Sequence, residues 1–224
     1  MEKEQELKKA QAQVLAGKSA LLEGDYEKAL ESFKEASETY KQLGDKENEA
    51  FQLNSMAHCY SNADRPLEAL ESYQGALNLL KAAGNSIAQA MILNNIGLLN
   101  VDLKRLDKAL NSFQEALDIY DVINDRKGKA LQLQNIGTVY RDKRDSKKAL
   151  DVYFKSIAIF EELGDKMGIA FQCANIGYIY AVDNKTDEAL QWFRKALPLF
   201  EDLDEKERVE LTKQNIKNLT GSKT

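Results

Sequence analysis

A 40-residue internal repeat constrains this chain more than any other feature of its sequence. The dipeptide Ala-Leu occurs five times at that spacing, and an aromatic residue follows three positions later in every copy. These aromatic residues are Phe33, Tyr73, Phe113, Tyr153 and Phe193. A set of small residues keeps the same period: Gly17, Ala57, Gly97, Gly137 and Gly177. A period of this length predicts stacked supersecondary units, each of which buries its apolar face only against its neighbours.

Each copy predicts two helices joined by a short polar turn. Pro66, Ser146 and Thr186 stand where the second helix is expected to begin, as a first-turn proline and two hydroxyl caps. Five residues at one repeat position suit the left-handed conformation that ends a helix: Gly44, Gly84, Asn124, Gly164 and Asp204. Three aspartates directly after them are expected to cap the next helix: Asp45, Asp125 and Asp165. With only two prolines in 224 residues, we expect an all-helical chain.

The charge balance narrows the class of partner. A net charge of −5 argues against nucleic acid and against anionic lipid, because both require a basic surface. No apolar run approaches the roughly 20 residues that cross a bilayer, and the charged amino terminus does not resemble a secretory signal. Cys59 and Cys173 fall at different repeat positions, so reduced thiols in a cytoplasmic protein are expected.

The order of Gly97, Ala109, Phe113 and Ala116 resembles the signature of the tetratricopeptide repeat. The 40-residue period, the "GDK" turns and the "NNIG" phrases are similar to the longer repeats of Pins-like polarity regulators and Rap-like bacterial regulators. The resemblance implies a right-handed α-α superhelix of five helix hairpins in a single domain, 1–224. The expected repeats are 10–49, 50–89, 90–129, 130–169 and 170–203, followed by a solvated capping helix at 205–219.

The first helix of each repeat is predicted to turn one face to the core and the opposite face, here called the inner stripe, to the inside of the superhelix. Its amide row is Asn54, Asn94, Asn95, Gln134, Asn135 and Asn175. Its apolar row is Phe51, Met91, Leu131 and Phe171, and His58, Arg141 and Tyr178 lie further along it. A carboxamide offers both a donor and an acceptor, which suits an extended peptide backbone. The alternative is that these amides bond to neighbouring helices and fix the stacking angle.

Catalysis is not predicted. The sole histidine, His58, adjoins Cys59, but neighbouring side chains on a helix point apart, so they form no nucleophile–base pair. One histidine and two separated cysteines are too few for a usual metal site, and no cofactor is implied.

The sequence therefore favours a non-catalytic scaffold that binds a peptide or protein segment on its concave face. Two alternatives stay open: a self-assembling structural module that forms homo-oligomers, and a ligand-sensing domain of a larger regulator. Asn100 replaces the tyrosine found at positions 60, 140 and 180, which predicts either a thinner interface or a partnered amide there.

Overall fold

The computed structural model describes residues 2–221, and the described chain is a succession of 11 α-helices without a strand. The helices are α1 (Glu2–Leu22), α2 (Tyr26–Leu43), α3 (Lys46–Asn62), α4 (Pro66–Ala83), α5 (Ser86–Asp102), α6 (Leu106–Val122), α7 (Arg126–Asp142), α8 (Ser146–Leu163), α9 (Lys166–Val182), α10 (Thr186–Asp202) and α11 (Lys206–Gly221). The all-α prediction is confirmed. None of these helices is long and apolar enough to cross a membrane.

The chain divides into two compact units, Met1–Ile119 (unit 1) and Tyr120–Thr224 (unit 2). The single domain expected over 1–224 stays a prediction, and its positions 1 and 222–224 lie outside the described residues. In unit 1, α1 packs against α2, α3 against α4, and successive pairs touch through α2 with α3 and α4 with α5. In unit 2, α7 packs against α8, α9 against α10, and α10 against α11.

Close approach of paired helices explains the glycines of the first helices. A Cβ added at Gly97 would lie 2.4 Å from Cε1 of Phe113, and one added at Gly137 would lie 2.5 Å from Cε1 of Tyr153. Both rings are fully buried. The aromatic residue of the second helix therefore occupies the space that a side chain on the first helix would need, and this offsets the helix propensity lost at glycine.

The helix ends follow the predicted turn chemistry. Gly44, Gly84 and Gly164 have φ values of 73°, 75° and 66°. Asn124 and Asp204 take the same left-handed conformation. The side chains of Asp45, Asp125 and Asp165 each accept a hydrogen bond from the backbone N–H three residues later, at 2.9 to 3.1 Å. These assignments are confirmed, as is Pro66 as the first residue of α4.

The hydroxyl caps expected at Ser146 and Thr186 are wrong. Both are first helical residues, and the preceding positions hold the N-caps. Asp145 caps α8 by accepting from the N–H of Lys148 at 3.1 Å, whereas Lys185 precedes α10 without a side-chain cap. A carboxylate reaches the free N–H groups better than the hydroxyl that follows it, because Ser146 already has helical backbone.

Asn100 is buried at 3% exposure, and its Nδ2 donates to the Ile96 carbonyl oxygen at 2.8 Å. Its Oδ1 has no hydrogen-bond partner among the described residues. The replaced tyrosine therefore leaves a half-satisfied amide, so the expectation of a partnered amide holds for the donor only.

Candidate functional site

In unit 1 the inner stripe lies on α3 and α5. The apolar row is open to solvent, with Phe51 exposed by 41% and Met91 by 55%. Asn54, Asn94 and Asn95 are half-buried one helical turn further along. The structure therefore brings the two predicted rows together on the surface of this unit.

The amides of unit 1 form a chain of polar contacts between helices. Asn95 Nδ2 on α5 donates to Asn54 Oδ1 on α3 at 3.0 Å and lies 3.4 Å from His58 Nε2. His58 Nδ1 lies 3.2 Å from the hydroxyl of Tyr73 on α4, and the two rings meet edge to face. Asn94 also interacts within the chain. Asn95 thus joins α5 to α3. This is the helix-joining role that the alternative interpretation gives to an amide of the inner stripe.

In unit 2 the inner stripe lies on α7 and α9. Leu131 is exposed by 41% and Tyr178 by 48%. Phe171 differs from its row, because it is half-buried, packs edge to face on Phe200 with ring centroids 5.4 Å apart, and lies beneath the guanidinium of Arg208. The apolar row of this unit is therefore open at α7 and partly covered at α9.

The amides of unit 2 differ in how far they are engaged. Gln134 Oε1 accepts from Gln172 Nε2 at 2.5 Å, and Asn135 interacts within the chain. Asn175 is half-buried and makes no hydrogen bond to the described residues. Asn175 consequently has its donor and its acceptor available to a ligand.

A cleft of about 480 Å³ opens where the turn between α7 and α8 meets the end of α9. The guanidinium of Arg141 lies 5.8 Å above the Tyr178 ring and donates through Nε and Nη2 to Asp142 Oδ1 at 3.0 and 2.9 Å. Val182 is exposed by 57% and lines the same cleft with Arg144. The cleft combines positive and negative side chains with apolar surface, so it suits a ligand that carries both a charged group and an apolar group.

Sequence reasoning did not single out Val182 or a row of buried glutamines. Val182 stands where the three preceding copies carry Asn62, Asp102 and Asp142, so its change to an apolar residue was the available signal. The glutamines recur at 52, 132 and 172, and each is at least 96% buried. Their shared repeat position was visible in the sequence, but burial places them between helices rather than on the inner stripe.

The cysteines and the histidine do not meet. Cys59 and Cys173 are free thiols, and burial raises the pKa of Cys59 and brings the pKa of Cys173 to about 11. His58 instead contacts Tyr73 and Asn95, and its partial burial lowers its pKa. Among the described residues, no group of three His, Cys, Asp or Glu side chains could hold a metal ion.

Comparison with known proteins identifies the repeat. The profile of the tetratricopeptide repeat matches residues 8–82 and 49–121, which together span just over half of the 224 residues. No curated protein matches the chain.

Solved structures share the fold at low sequence identity. Aspartyl phosphate phosphatase F from Bacillus subtilis has a TM-score of 0.87 and 17% identity, over 98% of this chain and 57% of that one. A tetratricopeptide sensor of a STAND ATPase from Pyrococcus horikoshii gives 0.84 and 15%, over 97% and 34%. A Rap protein complexed with competence and sporulation factor gives 0.73 and 18%, over 93% and 58%. At these identities the likeness shows the fold alone, and it confirms the predicted all-α tetratricopeptide architecture.

Proposed function

The chain belongs to the tetratricopeptide repeat family, and from this premise we propose that it binds a peptide or protein segment on the inner stripe of its units. The exposed apolar row carries the proposal. Phe51, Met91 and Leu131 occupy the same repeat position and stay exposed by 41%, 55% and 41%. Large apolar side chains repeated beside carboxamides supply contact area together with a few placed polar groups, which is what a binding surface needs.

The two rows take different roles in the proposed complex. A ligand on unit 1 packs its apolar side chains on Phe51 and Met91, a ligand on unit 2 packs them on Leu131, and in each unit this contact supplies most of the affinity. The free amide of Asn175 holds one backbone unit of an extended chain through its donor and its acceptor. The solved complex of a structural neighbour with competence and sporulation factor supports a bound partner for this chain as well.

The proposed action is binding without a chemical step. Both thiols are buried with raised pKa values, and the His58 ring is held by Tyr73 and Asn95 instead of facing a nucleophile. These placements support a scaffold role, although one structural neighbour is named a phosphatase.

The apolar contribution is tested with a peptide selected from a phage-displayed random library and measured by fluorescence anisotropy. Met91→Ala removes a long exposed side chain of the inner stripe, and we expect affinity to fall about tenfold. Leu67→Ala is the matched control, because Leu67 is exposed by 62% at the start of α4, a second helix. Equal affinity of the parent and Met91→Ala would remove the apolar row from the binding surface.

The amide contribution is tested with the triple variant Asn95→Ala, Asn135→Ala, Asn175→Ala, after circular dichroism shows that it is folded. Binding of the selected peptide is expected to be lost. If every selected peptide binds the triple variant as tightly as the parent, the amides only join helices. Light scattering over a concentration series is the companion measurement, since oligomers that grow with concentration support the self-assembling alternative.

A further inference from the structure

The hydrogen-bond partners of His58 assign one tautomer to its neutral ring. A carboxamide NH₂ group only donates, so His58 Nε2, 3.4 Å from Asn95 Nδ2, must accept. The neutral ring then carries its proton on Nδ1, which donates to the Tyr73 hydroxyl oxygen at 3.2 Å. Tyr73 stays a neutral phenol, because burial raises its pKa to about 12.

The same geometry decides which amide atoms face a ligand. Asn95 Nδ2 directs its two hydrogens at His58 and at Asn54 Oδ1, so the Asn54 carbonyl points at α5 and already accepts one hydrogen bond. Asn54 Nδ2 makes no hydrogen bond to the described residues, and Asn54 is half-buried on the inner stripe. The group that Asn54 offers outward is therefore a donor.

We propose that His58 is a specificity-determining residue that orients the Asn95 and Asn54 amides, so that unit 1 reads an acceptor, a backbone carbonyl oxygen of the bound peptide. This inference rests on the proposed function, because it names the ligand atoms that the inner stripe recognises. His58 itself acts through Asn95 and is a positioning residue for the contact.

Protonation of His58 reverses the order of the amides. The new Nε2–H donor would face the Asn95 NH₂, so the Asn95 carboxamide must turn over and present Oδ1 to it. That oxygen would then face Asn54 Oδ1, and Asn54 must turn as well, which directs its carbonyl outward. At the Asn54 position, a ligand carbonyl that met a donor above the histidine pKa now meets another carbonyl oxygen, so a peptide bound in that register loses its contact.

The environment of His58 sets the pH of this reversal. Burial lowers the pKa of His58 from 6.5, and no charged side chain of the described residues contributes to the shift. The groups that face the ring are Tyr73 from α4 and Asn95 from α5, and of these only Tyr73 titrates. The ring therefore stays neutral above pH 6.5 and takes up its proton only below that value.

Unit 2 provides the matched control inside the same chain. Thr138 stands 80 residues after His58, and its hydroxyl lies 3.2 Å from the Tyr153 hydroxyl, as His58 lies beside Tyr73. The residue beside the tyrosine hydroxyl in this unit cannot titrate, because Thr138 carries no ionisable group. The variant His58→Thr thus copies into unit 1 an arrangement that the chain already contains.

The first test needs no ligand. His58 is the only histidine, so selective nitrogen-15 labelling gives one pair of ring signals in an NMR spectrum. Near pH 8 we expect Nδ1 to carry the proton and Nε2 to show the signal of an unprotonated nitrogen. The opposite tautomer would overturn the assignment of Asn95 as the donor, whether or not any peptide binds.

The second test uses a selected peptide without histidine, measured by fluorescence anisotropy at about pH 8 and about pH 5. The parent is expected to bind about tenfold more weakly at the lower pH, and His58→Thr about equally at both. Equal affinity of the parent at both values, or the same loss in His58→Thr, overturns the inference. Failure of every peptide to bind at about pH 8 would instead count against the proposed function, and the ring signals would still decide the tautomer.

Discussion

The two units differ at the junctions between successive hairpins. In unit 2 a glycine begins each first helix beneath an aromatic ring: a Cβ at Gly128 would lie 2.4 Å from Tyr120 Cδ1, and one at Gly168 would lie 2.3 Å from Phe160 Cδ1. Unit 1 has Asn48 and Ala88 at the same repeat position. The same repeat therefore forms two kinds of junction. The residue at this position and the side chain packed on it differ between the units.

A second contrast lies beside the inner stripe. Unit 1 places an ionisable ring, His58, against the hydroxyl of Tyr73, whereas unit 2 places Thr138 against the hydroxyl of Tyr153. The surrounding fold is the same, but only the arrangement with His58 can take up a proton, and it does so below pH 6.5. These two copies thus make a polar contact at the same repeat position with different side chains.

The glycine junction gives the largest expected effect. Gly168→Ala is expected to lower the free energy of unfolding by about 2 kcal/mol, because overpacking a core costs about 1–3 kcal/mol and exceeds the helix propensity gained. Urea unfolding followed by circular dichroism measures this change.

Ala88→Gly is the matched control for the junction in unit 1. It should lower stability by about 1–2 kcal/mol, from helix propensity and from the loss of one methyl group that is buried at 5% exposure, so here the smaller residue is the less stable one. If Gly168→Ala is more stable than the parent, the difference between the two junctions has no energetic meaning.

The two tyrosine hydroxyls test the second difference between the units, because one accepts a hydrogen bond and the other donates one. Thr138 donates to the Gln134 carbonyl at 3.1 Å, so the Tyr153 hydroxyl is the donor in its contact with Thr138. Tyr73→Phe leaves the Nδ1–H of His58 without its acceptor and should cost about 1 kcal/mol, whereas Tyr153→Phe removes a donor and should cost about 0.5 kcal/mol. Urea unfolding near pH 8 compares them, and a larger cost for Tyr153→Phe would contradict the assigned donors.

The smallest effect is expected where the units agree. Lys104 in unit 1 and Arg144 in unit 2 take left-handed backbone, with φ of 58° and 61°. Replacing either by glycine relieves a conformation that costs about 1–2 kcal/mol, less the entropy that glycine loses, for a net gain of about 0.5 kcal/mol. Thermal unfolding should show the same rise for both variants. Gly84→Ala, at φ 75°, is the control and should be less stable than the parent.

Most of the architecture was predictable, because the 40-residue period fixes the helices, the left-handed ends and the close approach at Gly97. The prediction of hydroxyl caps was wrong because Asp145 and Ser146 are both polar and both suit a cap. The sequence does not tell which of the two precedes the first helical residue. The engagement of Asn95 could not be predicted, since a carboxamide on an inner helix face suits a ligand and a neighbouring helix equally. That choice depends on the spacing between helices, which a repeat pattern does not specify.

The capping residue that follows each left-handed helix end has a consequence for how such a chain can change its length. Asp45, Asp125 and Asp165 begin their helices with the same carboxylate-to-amide bond. The residues before them close the preceding helices with left-handed backbone, as Gly84 does before Asn85. The turns between successive repeats therefore have nearly the same backbone and the same kind of cap. A recombination that fused Gly84 directly to Asp125 would delete one whole copy and create a Gly-Asp turn like those at Gly44 and Gly164. The new turn would therefore not oppose the duplication or loss of copies.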